Sequence, residues 1–83
     1  PRPRQEGRRK LGFKEQRELE ALPQRIEELE SLQKEMYGRM ADPSFYQQDG
    51  AAIAAAKAAL ERLEEELEAM YLRWEELEVL SNG

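Results

Sequence analysis

"IAAAKAALERLEEELEAMYLRWEEL", residues 53–77, decides the fold. Its larger or seam-compatible apolar residues fall at Ile53, Ala56, Leu60, Leu63, Leu67, Met70, Trp74 and Leu77, alternating steps of three and four. That is the heptad period, which sets one apolar stripe along an α-helix and seats it against a second helix. No period-two alternation competes with it. The helix is predicted from about Gly50 to Leu80 and is roughly 45 Å long at ~1.5 Å per residue. A stripe of that length needs a partner of similar length.

The partner lies upstream. Leu19, Leu22, Ile26, Leu29, Met36 and Met40 repeat the same spacing, with Gln33 as a polar interruption. Pro23 falls inside this run. Proline lacks the amide proton and clashes with the preceding turn but is tolerated as a first helical residue. The sequence is therefore read as a short helix over 14–22, a second over 23–41, a loop over 42–49 and a long helix over 50–80. Asp42 and Pro43 read as the cap and first residue of a small turn, and Asp49 as the cap of the long helix. The fold class is all-α: an antiparallel two-helix coiled-coil hairpin, preceded by the short helix and by a disordered basic arm. In domain terms, 1–12 is a flexible basic linker and 13–83 the coiled-coil domain.

Two registers compete. Pairing residues whose numbers add to 96 sets Leu22 by Trp74, Ile26 by Met70, Leu29 by Leu67, Met36 by Leu60 and Met40 by Ala56, with Gln33 by Leu63 as a mismatch. Sliding by one heptad centres the hairpin better on its loop but puts Glu15 opposite Trp74. Packing favours the first.

Composition narrows the function. The chain has 83 residues, no Cys and no His, so disulfides, thiolate sites and imidazole chemistry are all excluded. No glycine belongs to a phosphate-binding loop of the G-x-x-x-x-G-K-[ST] type, so no catalytic or nucleotide site is expected in this stretch. No apolar run approaches a membrane span, and the basic start lacks the hydrophobic core of a signal peptide. These features suit a soluble protein of a reducing cytoplasm. The start at Pro1, without Met, suggests a piece of a longer protein.

Charge is the sharpest functional signal. The net charge is −5, yet residues 1–17 hold seven bases and two acids. The remaining residues hold six bases and sixteen acids, so a basic leader precedes an acidic rod. Arg2, Arg4, Arg8, Arg9, Lys10, Lys14 and Arg17 are candidate phosphate contacts, because clustered cations supply most non-specific nucleic-acid affinity. Phe13 sits among them as a candidate stacking ring. A plain soluble linker is the competing reading.

Other constellations have plainer explanations. The glutamates at 27, 28, 30, 64, 65, 66 and 68 solvate the outer faces, and Glu30–Lys34 and Glu35–Arg39 have favourable helical spacing. Without a pocket, neither catalysis nor a metal site follows. Trp74 belongs to the seam, beside Tyr71. Phe45 and Tyr46, at the loop, either cap the hairpin or meet a partner.

Three segments carry a family resemblance: "KLGFKEQRELEALP" (10–23), "DPSFY" (42–46) and "RWEELEVL" (73–80). In this order and spacing they resemble the C-terminal coiled-coil domain of the Uup-like proteins, bacterial ABC-F family ATPases. The resemblance implies two ATP-binding cassettes upstream, using ATP and Mg, and a tail associated with DNA binding. It also implies partners in the ribosome or its RNA, since the wider group acts on ribosomes, and in the parent's own ATPase domains. The family usually has Ser or Thr where this chain has Gly12, and often lysine runs where this tether is rich in arginine.

Two functions from different classes follow. The first is non-sequence-specific binding of DNA, branched or single-stranded forms included, by the arm and first helix. The second is a structural or regulatory module for a protein or ribosome, with the arm as tether. The loop, with Pro43 and Gly50, favours folding back over self-association, so a monomer is expected.

Overall fold

The computed structural model describes residues 11–82 and is built from two long helices and a short connection. Helix α1 spans Phe13–Ala41, a single 3-10 turn spans Pro43–Gln47, and helix α2 spans Gly50–Asn82. The helices lie antiparallel and bury their stripes against each other. Leu22, Ile26 and Leu29 of α1 and Leu60, Leu63, Leu67 and Leu77 of α2 are all buried. Met36, Met70 and Trp74 pack on the central cluster of Ile26, Leu29, Leu63 and Leu67. Each leucine so enclosed contributes about 1.5–3 kcal/mol, which is what holds a chain this small together.

The cross-helix polar contacts identify the register. They are Arg73 with Glu18, Arg25 with Glu66, Gln33 with Glu64, Tyr37 with Glu64 and Tyr71 with Glu30. Their paired numbers add to 91, 91, 97, 101 and 101, scattered about 96, the register that packing favours. The Gln33 mismatch is met locally. Its amide donates to the Glu64 carboxylate at 2.9 Å from a half-buried position, so the polar residue in the seam gains a partner that only this register supplies.

One element differs from the sequence reading. The helices separated above at 14–22 and 23–41 form one: α1 runs unbroken through Pro23. The proline leaves the turn before it without one amide donor, yet Leu22 and Ile26 on either side are both buried against α2. Tertiary packing of the seam thus overrides the local preference to break. Residues 1–10, to which the disordered arm was assigned, lie outside the described residues.

Both ends of the connection are capped by aspartates. Asp42 accepts from the Ser44 amide at 2.9 Å, and these bonds hold its carboxyl below the usual range. Asp49 accepts from the Ala52 amide at 2.8 Å and so starts α2. Phe45 is buried under the turn, whereas Tyr46 stands exposed with its ring edge-on to Phe45 at 4.9 Å. The two aromatics of the loop therefore divide the roles left open above: Phe45 caps the core and Tyr46 faces solvent.

Pro23 is exposed, so replacing it removes no buried surface. Pro23→Ala is expected to stabilise the hairpin in urea unfolding, by up to about 3 kcal/mol, because alanine restores an amide donor inside a continuous helix. An unchanged midpoint would mean that the proline begins a separate helix.

Candidate nucleic-acid interface

The site expected from charge divides at residue 11. Arg2, Arg4, Arg8, Arg9 and Lys10 lie outside the described residues, while Phe13, Lys14 and Arg17 open α1. Gly12 is the N-cap and has no side chain with which to cap. Instead Glu15 reaches back to accept from the Gly12 amide at 3.0 Å, which gives the helix half of a capping box. The Gly12 backbone is extended, and an added Cβ would meet only the Glu15 carboxylate at 3.6 Å, so a serine fits there.

The first turns of α1 put the three candidates outside the seam. Counting Leu19 as position a, Phe13 falls at b, Lys14 at c and Arg17 at f, all exposed. Phe13 keeps 75% of its surface in solvent. The Arg17 guanidinium lies 5.6 Å from the centre of its ring, a cation–π pair one turn apart that steadies both groups without consuming the charge. Among the described residues no carboxylate lies within ion-pair distance of Lys14 or Arg17. These two cations and an exposed ring are therefore available to phosphates and bases at the end of the rod from which the basic leader continues.

Further along the rod, the cations and phenols near the helix interface are mostly occupied. Arg73 grips Glu18 with two bonds of 2.8 and 3.0 Å and also reaches Glu76 at 3.1 Å. The guanidinium holds the Glu18 carboxyl below its ordinary range, and the Arg73 charge is correspondingly reinforced. Arg25 lies between Glu28 and Glu66. On the opposite edge Tyr37 donates to Glu64 and Tyr71 donates to Glu30. These bonds push both phenols above their usual range, while Tyr37 and then Gln33 draw the Glu64 carboxyl down. Tyr71 also stacks on Trp74, with centroids 6.4 Å apart, so neither ring is a free platform.

Two helical pairs named from spacing do not form. Among the described residues no ion pair joins Glu30 to Lys34 or Glu35 to Arg39. Exposed pairs of this kind are weak, and Glu30 is turned across the interface to Tyr71 instead. The sequence reading missed the two tyrosine–glutamate bonds and the Arg73 clasp. The heptad itself held the signal: in an antiparallel pair position e faces e and position g faces g, and these contacts fall there.

The chain belongs to the ABC transporter C-terminal domain family, whose model matches residues 10–79. It is 51% identical over 73 residues to an "ATP-binding protein Uup-like" and to an "ATP-binding protein Uup", both of Haemophilus influenzae. It is 43% identical over 74 residues to the "ATP-binding protein Uup" of Escherichia coli K12. These alignments take in 88–89% of the chain but only 11–16% of the relatives, so the chain spans a small part of their length. A solved structure of the C-terminal domain of the Uup protein, described as a DNA-binding coiled coil motif, superposes with a TM-score of 0.80. It is 42% identical, and the match covers 88% of this chain and 86% of that one.

The ionic contacts predict a pH profile. Glu18 and Glu64 are depressed in the folded state, so their contribution is present above the ordinary carboxylate range and is lost as pH falls through their lowered values. Tyr37 and Tyr71 are raised, so theirs is present below the ordinary phenol range and is lost as pH rises toward their raised values. Thermal melts by circular dichroism are expected to show a plateau at neutral pH with a fall at each extreme. In Tyr37→Phe with Tyr71→Phe the alkaline fall becomes shallower, and an identical alkaline limb would refute the assignment.

Proposed function

We propose that this chain is a nucleic-acid-binding tail, in which the basic leader and the start of α1 bind DNA without sequence specificity. The observation that carries the reading is the separation of charge. Seven bases and two acids precede residue 18, and of those seven Lys14 and Arg17 stand exposed with no carboxylate of the described residues on them. The rod behind them carries a net excess of acid, so a polyanion is drawn first to the basic end of the molecule. A related domain described as a DNA-binding coiled coil supports DNA as the polyanion.

Arg2, Arg4, Arg8, Arg9, Lys10, Lys14 and Arg17 act as the phosphate contacts, and Phe13 as a ring on which a base or sugar rests. Sequence readout is not part of this function. The target is chosen by backbone charge and shape.

The relatives are ATP-binding proteins by name, and the tail works at the end of such a protein in the cytoplasm, as a monomeric unit tethered to its ATPase domains. ATP and Mg are held by those domains, outside this chain. No helix among the described residues is long and apolar enough to cross a membrane.

If about four to six phosphates are engaged, log affinity for duplex DNA falls with log salt at a slope of roughly −4 to −5. Anisotropy titrations at several salt concentrations measure this, and a flat response eliminates the electrostatic mechanism. Reversing Arg8, Arg9 and Lys10 to glutamate is expected to abolish binding at moderate salt while helicity by circular dichroism is retained. Undiminished binding by that variant would assign the arm to tethering alone.

A further inference from the structure

The acidic charge of the rod is not shared equally between its two sides. Counting heptad positions from Leu19 and Ile53, positions g and c flank the seam on one side and e and b on the other. The e and b side of the two helices carries two bases, Lys34 and Lys57, against eight glutamates, with Glu20, Glu27 and Glu30 lining one groove beside Tyr71 and Trp74. The g and c side carries five bases, Lys14, Arg25, Arg39, Arg62 and Arg73. Its acids are Glu18, Glu28, Glu35, Glu66 and Glu76, so it is electrically balanced. A polyanion approaching the rod meets one repelling side and one neutral side studded with arginine.

Along the neutral side the g positions form a ladder that changes character toward the loop. Glu18 faces Arg73 and Arg25 faces Glu66, two ion pairs in the same register. Extending that register, Leu32 faces Ala59 and Arg39 faces Ala52. The rung at Arg39 thus repeats the cation but replaces the acid with alanine. Arg39 borders an open groove with Ala59, Met36, Met40 and Asp42; the Asp42 carboxylate is engaged by the Ser44 amide, and among the described residues no carboxylate lies within ion-pair distance of Arg39 or of Arg62. Both are exposed. Ala52, Ala55 and Ala59 keep the α2 part of this side slender near the loop.

We propose that the arginine side of the hairpin lies against the nucleic acid, with Arg39 and Arg62 forming a second phosphate-contacting pair near the loop. This rests on the DNA-binding reading above and adds where the rod sits. Lys14 and Arg39 are twenty-five residues apart on α1, roughly 38 Å at ~1.5 Å per residue. One turn of a B-form duplex is about 34–36 Å. Lys14 therefore meets one stretch of backbone while Arg39 and Arg62 meet the same strand about one turn away, and the glutamate-rich side turns to solvent.

The test compares two double charge reversals in the full 83-residue chain. Arg39→Glu with Arg62→Glu alters the arginine side, and Lys34→Glu with Lys57→Glu alters the other by the same net charge in the same half of the rod. With a labelled 24-base-pair duplex, the first is expected to lower affinity at least about ten-fold and to make the salt slope shallower by about 2, two contacts at ~0.9 each. The second is expected to change affinity less than about three-fold and to leave the slope unaltered. The pair Arg39→Gln with Arg62→Gln, which places no new acid on the rod, shifts the slope the same way, and circular dichroism confirms that all variants remain helical. Equal losses from both reversals, or no loss from the first, would overturn the proposal while leaving DNA binding by the leader intact. Absence of salt-dependent binding by the unaltered chain would refute the DNA-binding reading, and this placement with it.

Discussion

The interlock of Ile26 and Leu29 with Leu63 and Leu67 is the constraint on which everything else depends. A chain of 83 residues with eighteen acids has little else to hold it. The connection contributes only one buried side chain, Phe45, and among the described residues the buried hydrophobic set is otherwise confined to the two stripes. Because that seam fixes register, it also fixes which surface residues meet. Arg73 finds Glu18 across 55 residues of sequence, and Glu64 receives both Gln33 and Tyr37, only because one isoleucine and three leucines have already set the helices side by side. The electrostatic pattern of the surface is thus a consequence of packing in the core.

Much of this was legible in the residues. A three-and-four spacing sustained from Ile53 to Leu77 permits no other element, and its counterpart from Leu19 to Met40 selects the partner. Asp49 announced the start of α2 because a short acceptor before an alanine-rich run is a cap signal. What the residues hid was the outcome of competition. Pro23 argues locally for a break, and only the burial of Leu22 and Ile26 against another helix decides for continuity. Local spacing likewise paired Glu30 with Lys34, whereas the side chain found Tyr71 forty-one residues away.

The candidate surface was half legible. Seven bases before residue 18 need no structure to be noticed, and Phe13, Lys14 and Arg17 do stand outside the seam. Arg39 and Arg62 were invisible for a definite reason. Among thirteen bases scattered along the chain, nothing marks them until the register shows that Arg39 faces an alanine where Arg25 and Arg73 face glutamates. A cation left without its acid is a property of two strands of sequence read together.

The same packing that makes the rod stiff makes it directional. One side exposes glutamates and tyrosine–carboxylate bonds, the other arginines, and the charged leader leaves from a single end. The most direct measurement of this account is amide shift mapping of the labelled chain as duplex DNA is added. The account predicts movement in the leader, around Lys14 and Arg17, and along the side holding Arg39 and Arg62, with Glu27, Glu30 and Glu68 still. Shifts concentrated instead around Glu30, Tyr37 and Tyr71 would contradict it.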